Sequence, residues 1–141
     1  MKPIIKIVIK STSGYCSAEK AYNDKISIEK NAISYEYKPM FESEQNSFRK
    51  WSYRTTNPIF QTFYSKLVSV IPSIFEREID VIYTDIGFIE FVVTYSDKTK
   101  IKDKFWVSGD EFKECFEIIR QMVPACEFVP TVLWTDEDYK D

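Results

Sequence analysis

Residues 88–107 decide the fold class, because they hold the strongest strand signal of the chain and a second strand directly after it. They read Phe-Ile-Glu-Phe-Val-Val-Thr-Tyr-Ser-Asp-Lys-Thr-Lys-Ile-Lys-Asp-Lys-Phe-Trp-Val. The first part, 88–95, is rich in Phe, Ile and Val, which favours a β-strand. A turn near Asp97-Lys98-Thr99 leads to a second strand that ends at Trp106-Val107. The stretch therefore predicts a β-hairpin.

The register of this hairpin follows from which side chains must face the core. A two-residue turn would pair Phe91 with Lys104 and set the apolar face of one strand against the lysines of the other. A loop of three or five residues instead pairs Phe91 with Phe105, and core burial favours this odd loop because a slip of one residue turns every side chain over. Asp103 then faces the core side. We expect it to have a hydrogen-bonding or cationic partner, or to lie where the sheet edge opens to water.

Further strands are predicted upstream of this hairpin from the same kind of alternation. In residues 25–38, alternating apolar side chains predict a hairpin with an Asn31-Ala32 turn that pairs Ile28 with Tyr35. The other predicted strands are at 5–10, 48–55 and 79–84.

Two amphipathic helices complete the pattern. The first begins at Asn57-Pro58, an N-cap followed by Pro at the first helical position, and should end or kink just before Pro72. The second begins at Ser108, which stands three residues before Glu111 in capping-box spacing, and is stopped by Pro124.

The order of the elements predicts an α+β fold, because runs of strands followed by a helix exclude alternating βαβ units. We expect an antiparallel sheet of about six or seven strands with two main helices packed on it. The single domain would span 1–135, with an acidic, frayed tail at 136–141. The two helical segments also align at an offset of 52 residues, so that Phe60 falls on Phe112 and Pro72 on Pro124. A duplicated strands-then-helix unit is one interpretation; the other is that helical periodicity alone imposes the shared stripe.

Composition excludes several kinds of function. Of the 141 residues, 44% are hydrophobic and 29% are charged, which is typical of a globular domain. The formal net charge of −3 gives no overall basic excess that would indicate a nucleic-acid-binding protein. The chain contains no His, which excludes His-based catalytic triads, His general bases and His metal ligands.

The three cysteines, Cys16, Cys115 and Cys126, form no Cys-x-x-Cys pair. Their odd number does not fit a disulfide framework, and they do not complete a zinc site without other ligands. We therefore expect reduced thiols, no metal and no cofactor. Cys115 falls on the apolar face of the second helix and is expected in the core, whereas Cys16, near a Ser-rich loop, is the candidate reactive thiol.

The N-terminal apolar run is broken by Lys6 and Lys10, which does not fit a signal peptide, and no stretch has the length of a membrane span. These features predict a cytoplasmic protein with no membrane partner. The richness in Ile and Lys suggests a bacterial or phage genome.

The best candidate binding surface is a stripe of lysines in the last predicted strand. Alternate positions put these side chains on one face and end at an aromatic residue that could stack: Lys98, Lys100, Lys102, Lys104 and Trp106. Such a stripe suits an acidic protein surface or single-stranded nucleic acid. The alternative is an ordinary solvent face, in which lysines protect an edge strand from aggregation.

No catalytic arrangement is recognisable in the sequence. We therefore predict a small non-enzymatic binding or interaction protein, such as a regulator or inhibitor, whose partner is another protein; a polyanion or a small molecule is an open alternative. The second hypothesis is a small-molecule binder with an aromatic-lined pocket between sheet and helices. The third is an enzyme that uses carboxylates or Cys16.

Overall fold

The structure is a computed structural model that describes residues 3–13, 20–44, 46–76, 87–106, 109–124 and 130–135. Its strands are β1 (Ile4–Thr12), β2 (Tyr22–Glu29), β3 (Ala32–Pro39), β4 (Arg49–Arg54), β5 (Ile89–Tyr95) and β6 (Lys100–Phe105). Its α-helices are α1 (Pro58–Phe75) and α2 (Lys113–Met122), and short 3₁₀ turns lie at Gly109–Phe112 and Thr131–Leu133.

These six strands form one antiparallel sheet in the order β4-β3-β2-β1-β5-β6. This arrangement confirms the predicted α+β class. The predicted strand at 79–84 and the tail at 136–141 lie outside the described residues.

One face of the sheet forms the core with the helices. Alternate residues of the central strands, such as Ile7, Ile26 and Phe91, are fully buried. Helix α1 adds Leu67 and Ile71 and helix α2 adds a further apolar set, because each helix buries one stripe at helical spacing. The core side of the sheet is therefore fixed by the period-two pattern of its strands.

Helix α1 begins as predicted but ends later. The Asn57 side chain accepts a hydrogen bond from the Ile59 backbone N–H at 2.9 Å, which is N-cap geometry. The helix continues through Pro72 to Phe75, so the prediction that Pro72 ends it is wrong, and the alternative of a kink stays a prediction. Ile74 is buried on the same stripe as the preceding turns, and this burial offsets the hydrogen bond that Pro72 cannot donate.

Helix α2 begins later than predicted, after a 3₁₀ turn, and Phe112 at its N-cap makes no side-chain capping bond. The predicted cap, Ser108, lies outside the described residues. Phe112 packs its ring against Phe91 at 4.9 Å and Phe116 at 5.9 Å between centroids. Aromatic packing therefore holds the start of this helix on the sheet.

The β2–β3 hairpin has the predicted two-residue turn, but the turn is at Lys30-Asn31 rather than at Asn31-Ala32. Ile28 pairs with Ile33 and Ile26 with Tyr35, two residues from the predicted register. Because the shift is even, the same side chains still face the core.

The β5–β6 hairpin has a three-residue loop, so the predicted odd loop is confirmed. Lys98 in this loop has φ 71°, and its N–H donates to the Tyr95 carbonyl at 2.8 Å. Phe91 pairs with Asp103 rather than with Phe105, so the predicted pairing is wrong by two residues. Asp103 is exposed at the edge strand, which is the second of the two environments expected for it.

The two halves of the chain place related elements in related positions. Strands β4 and β6, which precede the two helices, lie at the two ends of the described strand order, and α1 contacts α2. The internal duplication itself stays a prediction.

Candidate functional site

The side of the sheet that faces away from the core is its open face. Its side chains alternate with the buried ones, as Lys10 does with Ile9 and Val92 does with Val93. The described helices α1 and α2 both belong to the core on the other side. The open face is therefore a surface of outward-pointing side chains from all six strands.

Cross-strand pairing arranges these side chains in rows. One row is charged along its whole length and runs across the sheet as Lys50, Glu36, Lys25, Lys10, Glu90 and Lys104. The neighbouring row is small and uncharged until the last strand: Ser52, Ser34, Ser27, Val8, Val92 and Lys102. The open face thus combines a row of charged side chains with a neighbouring row of small, uncharged ones.

Basic residues dominate this surface. Among the described strands it carries nine basic side chains: Lys6, Lys10, Lys25, Lys38, Lys50, Arg54, Lys100, Lys102 and Lys104. It carries three acidic ones: Glu29, Glu36 and Glu90. The whole chain has a formal net charge of −3, so positive charge is concentrated on one face of an acidic molecule.

Two of the three acids on the open face have lysine partners. Lys38 Nζ lies 2.9 Å from Glu36 Oε1, and Lys10 Nζ lies 4.0 Å from Glu90 Oε1. The hydrogen bond from Lys38 lowers the pKa of Glu36, and the charges of Lys25 and Lys50 act in the same direction. The surroundings of Glu36 are therefore electropositive, as the row of charges implies.

An aromatic corner, formed by Phe88 and Trp106 at one end of β5 and β6, completes the surface. The two ring centroids are 6.3 Å apart in an edge-on arrangement. Lys104 Nζ lies 4.1 Å from the Phe88 centroid and 5.8 Å from that of Trp106, which is cation–π geometry. Trp106 is 47% exposed, an unusual state for so large an apolar ring.

Two shallow cavities lie along the open face. The larger, about 470 Å³, lies over β2, β3 and β4, and its lining includes Lys25, Ser34 and Arg54. The second, about 320 Å³, reaches Phe88 at the aromatic corner and is bordered by Lys10 and Lys38. Each offers cationic side chains to a bound group.

The sequence-predicted stripe is part of this larger surface. Lys100, Lys102 and Lys104 are exposed and share the open face with Trp106. Lys98 does not alternate with them, because it lies in the turn before β6 rather than in the strand.

Sequence reasoning missed the basic residues contributed by the other strands, such as Lys10, Lys25 and Lys50. The usable signal was their alternation with buried Ile or aromatic side chains in each strand. These basic residues form one surface only because the strand order brings all the strands from β4 to β6 side by side in the sheet.

A second group that the sequence did not single out lies on the core side. Asp24 is 4% exposed and its carboxylate accepts hydrogen bonds from the hydroxyls of Ser11, Tyr35 and Thr131, the Tyr35 bond being 2.7 Å. The Val132 backbone N–H also donates to it at 2.8 Å. Burial raises the pKa of Asp24, and these four donors oppose the rise.

This network joins the segment 130–135 to three strands of the sheet. Because all four donors converge on Asp24, the network ties this segment to the sheet as a structural anchor. The signal in the sequence was the position of Asp24, two residues before Ile26 on the buried face of β2.

The candidate thiols fall into two groups. Cys115 is buried, and burial raises the pKa of its thiol, which confirms its predicted place in the core. Cys16 and Cys126 lie outside the described residues, so the reactivity predicted for Cys16 stays a prediction. Across the described ranges, no three metal-ligating side chains come together.

The chain matches no protein-family model and none of the curated proteins. None of the described helices is both long and apolar enough to cross a membrane.

Proposed function

We propose that this protein is a non-enzymatic binding protein whose open face binds an acidic region of another protein. The observation that carries the proposal is the excess of six positive charges on one sheet face of a chain whose net charge is negative. A surface of this kind attracts a complementary partner over distances of about a Debye length and fixes its orientation. Trp106 supplies an exposed aromatic anchor of the type enriched at binding hot spots.

An acidic protein suits this surface better than single-stranded nucleic acid. Nucleic-acid-binding sheets use several aromatic side chains on which successive bases stack. Here no residue within the bounds of the described strands places an aromatic ring on the open face, the middle of that face is Ser and Val, and the pair Phe88 and Trp106 lies at one corner. Glu29 and Glu36 also lie among the lysines, where they would repel phosphates but could pair with a mixed-charge protein surface.

The small-molecule hypothesis has less support. The aromatic rings of Phe91, Phe105, Phe112 and Phe116 lie between the sheet and α2, with centroids 4.9 to 6.5 Å apart. These rings pack against each other, which does not favour an aromatic-lined pocket between the sheet and α2. A regulatory or inhibitory role, a cytoplasmic location and a bacterial or mobile-element origin belong to the proposal as predictions from the sequence.

The test uses fluorescein-labelled poly-glutamate as the acidic probe and measures its anisotropy against protein concentration. The open-face variant is Lys25→Gln/Lys50→Gln/Lys104→Gln. The matched control is Lys30→Gln/Lys66→Gln/Lys113→Gln, which removes the same charge from exposed positions in a turn and on the two helices. We expect about tenfold or greater weakening in the open-face variant, about twofold or less in the control, and a flatter salt dependence in the first.

Two results would count against the proposal. Equal weakening in both variants would show that net charge, rather than this face, governs binding. Tighter binding of a single-stranded oligo-thymidine probe than of poly-glutamate, lost in the open-face variant, would replace the protein partner by nucleic acid.

A further inference from the structure

The backbone of β4 is unpaired on its outer side among the described strands, since β4 ends the sheet. The Thr55 N–H donates to the Asn31 carbonyl at 2.9 Å. This bond shows which alternate residues along β4 form hydrogen bonds to β3. Because hydrogen-bonded and outward-pointing residues alternate in an antiparallel pair, the N–H and C=O groups of Lys50, Ser52 and Arg54 point away from β3. Three consecutive outward positions can pair with another extended segment.

An apolar groove lies beside the same edge on the helix side of the sheet. It has a volume of about 310 Å³ and lies between the end of β4, the first turns of α1 and the end of α2. Its lining includes Tyr53, Ile59, Phe63, Met122 and Val123. Ile59 is 66% exposed and Tyr53 is 41% exposed, so these apolar side chains are available for contact.

The two sides of β4 therefore differ in chemistry. Lys50 and Arg54 lie on the open face, where they favour acidic side chains, whereas Tyr53 borders the apolar groove. A strand added at this edge would point successive side chains to the two sides in turn. Its best sequence alternates acidic and apolar residues.

The charges also disfavour a second copy of this chain in the register that pairs all three outward positions. Antiparallel pairing of two β4 strands about Ser52 would set Lys50 opposite Arg54 twice, and like charges directly opposite each other are destabilising. The basic β4 edge of one copy thus repels that of another but attracts an acidic strand. Charges of this kind protect an edge strand from self-association.

We propose that β4 binds an extended segment of an acidic partner, in which acidic and apolar residues alternate, as an added antiparallel strand. The apolar side chains of this segment enter the groove at Ile59 and Phe63, and its acidic side chains meet Lys50 and Arg54. The inference rests in part on the proposed function, because it shares these two basic residues with the open face.

The probe is a fluorescein-labelled peptide of about eight residues in which Val and Glu alternate, a length typical of a strand. The decisive variant is Ser52→Pro, since proline removes an N–H that points outward and bonds to no strand of the sheet. Ser52→Ala is its control and keeps the N–H. Ile59→Ala removes apolar contact surface from the lining of the groove. We expect about tenfold or greater loss of affinity with Ser52→Pro, a smaller loss with Ile59→Ala, and about twofold or less with Ser52→Ala.

A second arm keeps the test valid if Ser52→Pro disturbs the fold. The same peptide with alternate backbone amides N-methylated should lose binding to the unmodified protein, because its charges are kept and its strand hydrogen bonds are not. Binding of the methylated peptide, or equal binding by Ser52→Pro and Ser52→Ala, would overturn the edge pairing while leaving the open-face proposal intact. Self-association in sedimentation that Ser52→Pro abolishes would overturn the choice of occupant.

Discussion

Val92 and Val93 are neighbours in β5, yet they belong to two different surfaces. Val93 is fully buried between the sheet and the helices, whereas Val92 lies half-buried among lysines on the open face. The same comparison extends to the carboxylates, since Asp24 is enclosed by four donors on the core side and Glu36 is paired with Lys38 on the open face. The sheet thus separates the residues that hold the fold from those that are free to bind.

The largest effect should come from removing the carboxylate on the core side. Asp24→Ala leaves the hydroxyls of Ser11, Tyr35 and Thr131 and the Val132 N–H without their acceptor. We expect the free energy of unfolding to fall by about 3 kcal/mol or more, because buried unsatisfied donors are costly. Asp24→Asn, which keeps one acceptor oxygen, should lose less. Urea unfolding measures both, and an Asp24→Ala variant as stable as the parent would contradict the anchor role.

The two valines give the most closely matched pair of substitutions. Val93→Ala should lower the free energy of unfolding by about 2 kcal/mol, since it removes buried methyl groups and leaves a cavity. Val92→Ala should cost about 1 kcal/mol or less, because its site already meets solvent. Equal losses at the two positions would mean that something covers the open face in the folded protein.

The pH dependence of stability tests whether burial or the four donors dominate at Asp24. Because its folded pKa lies above the ordinary value, the folded protein keeps the proton over a pH range in which the unfolded chain has released it. The stability contributed by Asp24 is therefore greatest at low pH and falls as the pH rises through its folded pKa. Relative to Asp24→Asn, the parent should lose stability from about pH 4 upward. A relative gain over that range would show that the four donors outweigh burial.

The smallest change in stability should follow from removing the lysines of the edge strand. Lys100→Gln/Lys102→Gln/Lys104→Gln should change the free energy of unfolding by less than about 1 kcal/mol per residue, because exposed charges contribute little. The same variant should bind poly-glutamate more weakly. A large loss of stability would mean that these lysines are paired within the folded chain.

The fold could be predicted because the apolar residues of each strand and helix recur at the spacing typical of that element. The odd loop in the β5–β6 hairpin followed from core burial, and Asn57-Pro58 located the start of α1. Both hairpin registers were wrong by two residues, since an even shift leaves the same faces buried and is therefore invisible to a burial argument. The helix beyond Pro72 was missed because the burial of Ile74 outweighs a local breaker.

The candidate site was predicted only in part for a related reason. Lys100, Lys102 and Lys104 alternate within one strand, so a single stretch of sequence shows them as a stripe. Lys10 and Lys25 lie far apart in the chain and become neighbours only through the pairing of β1 with β2. Charge on a sheet face is a property of strand order, which local patterns do not contain.

Charge reversal on the open face tests the central claim most directly. The variant is Lys25→Glu/Lys50→Glu/Lys104→Glu, and the measurement is its affinity for poly-glutamate and for poly-lysine beside its free energy of unfolding. We expect the preference for poly-glutamate over poly-lysine to disappear, because three reversals cancel the excess of six positive charges on the open face. The free energy of unfolding should change by about 2 kcal/mol or less, since these side chains are exposed. A folded variant that still prefers poly-glutamate would contradict the account, because binding would then not depend on the charges of this face.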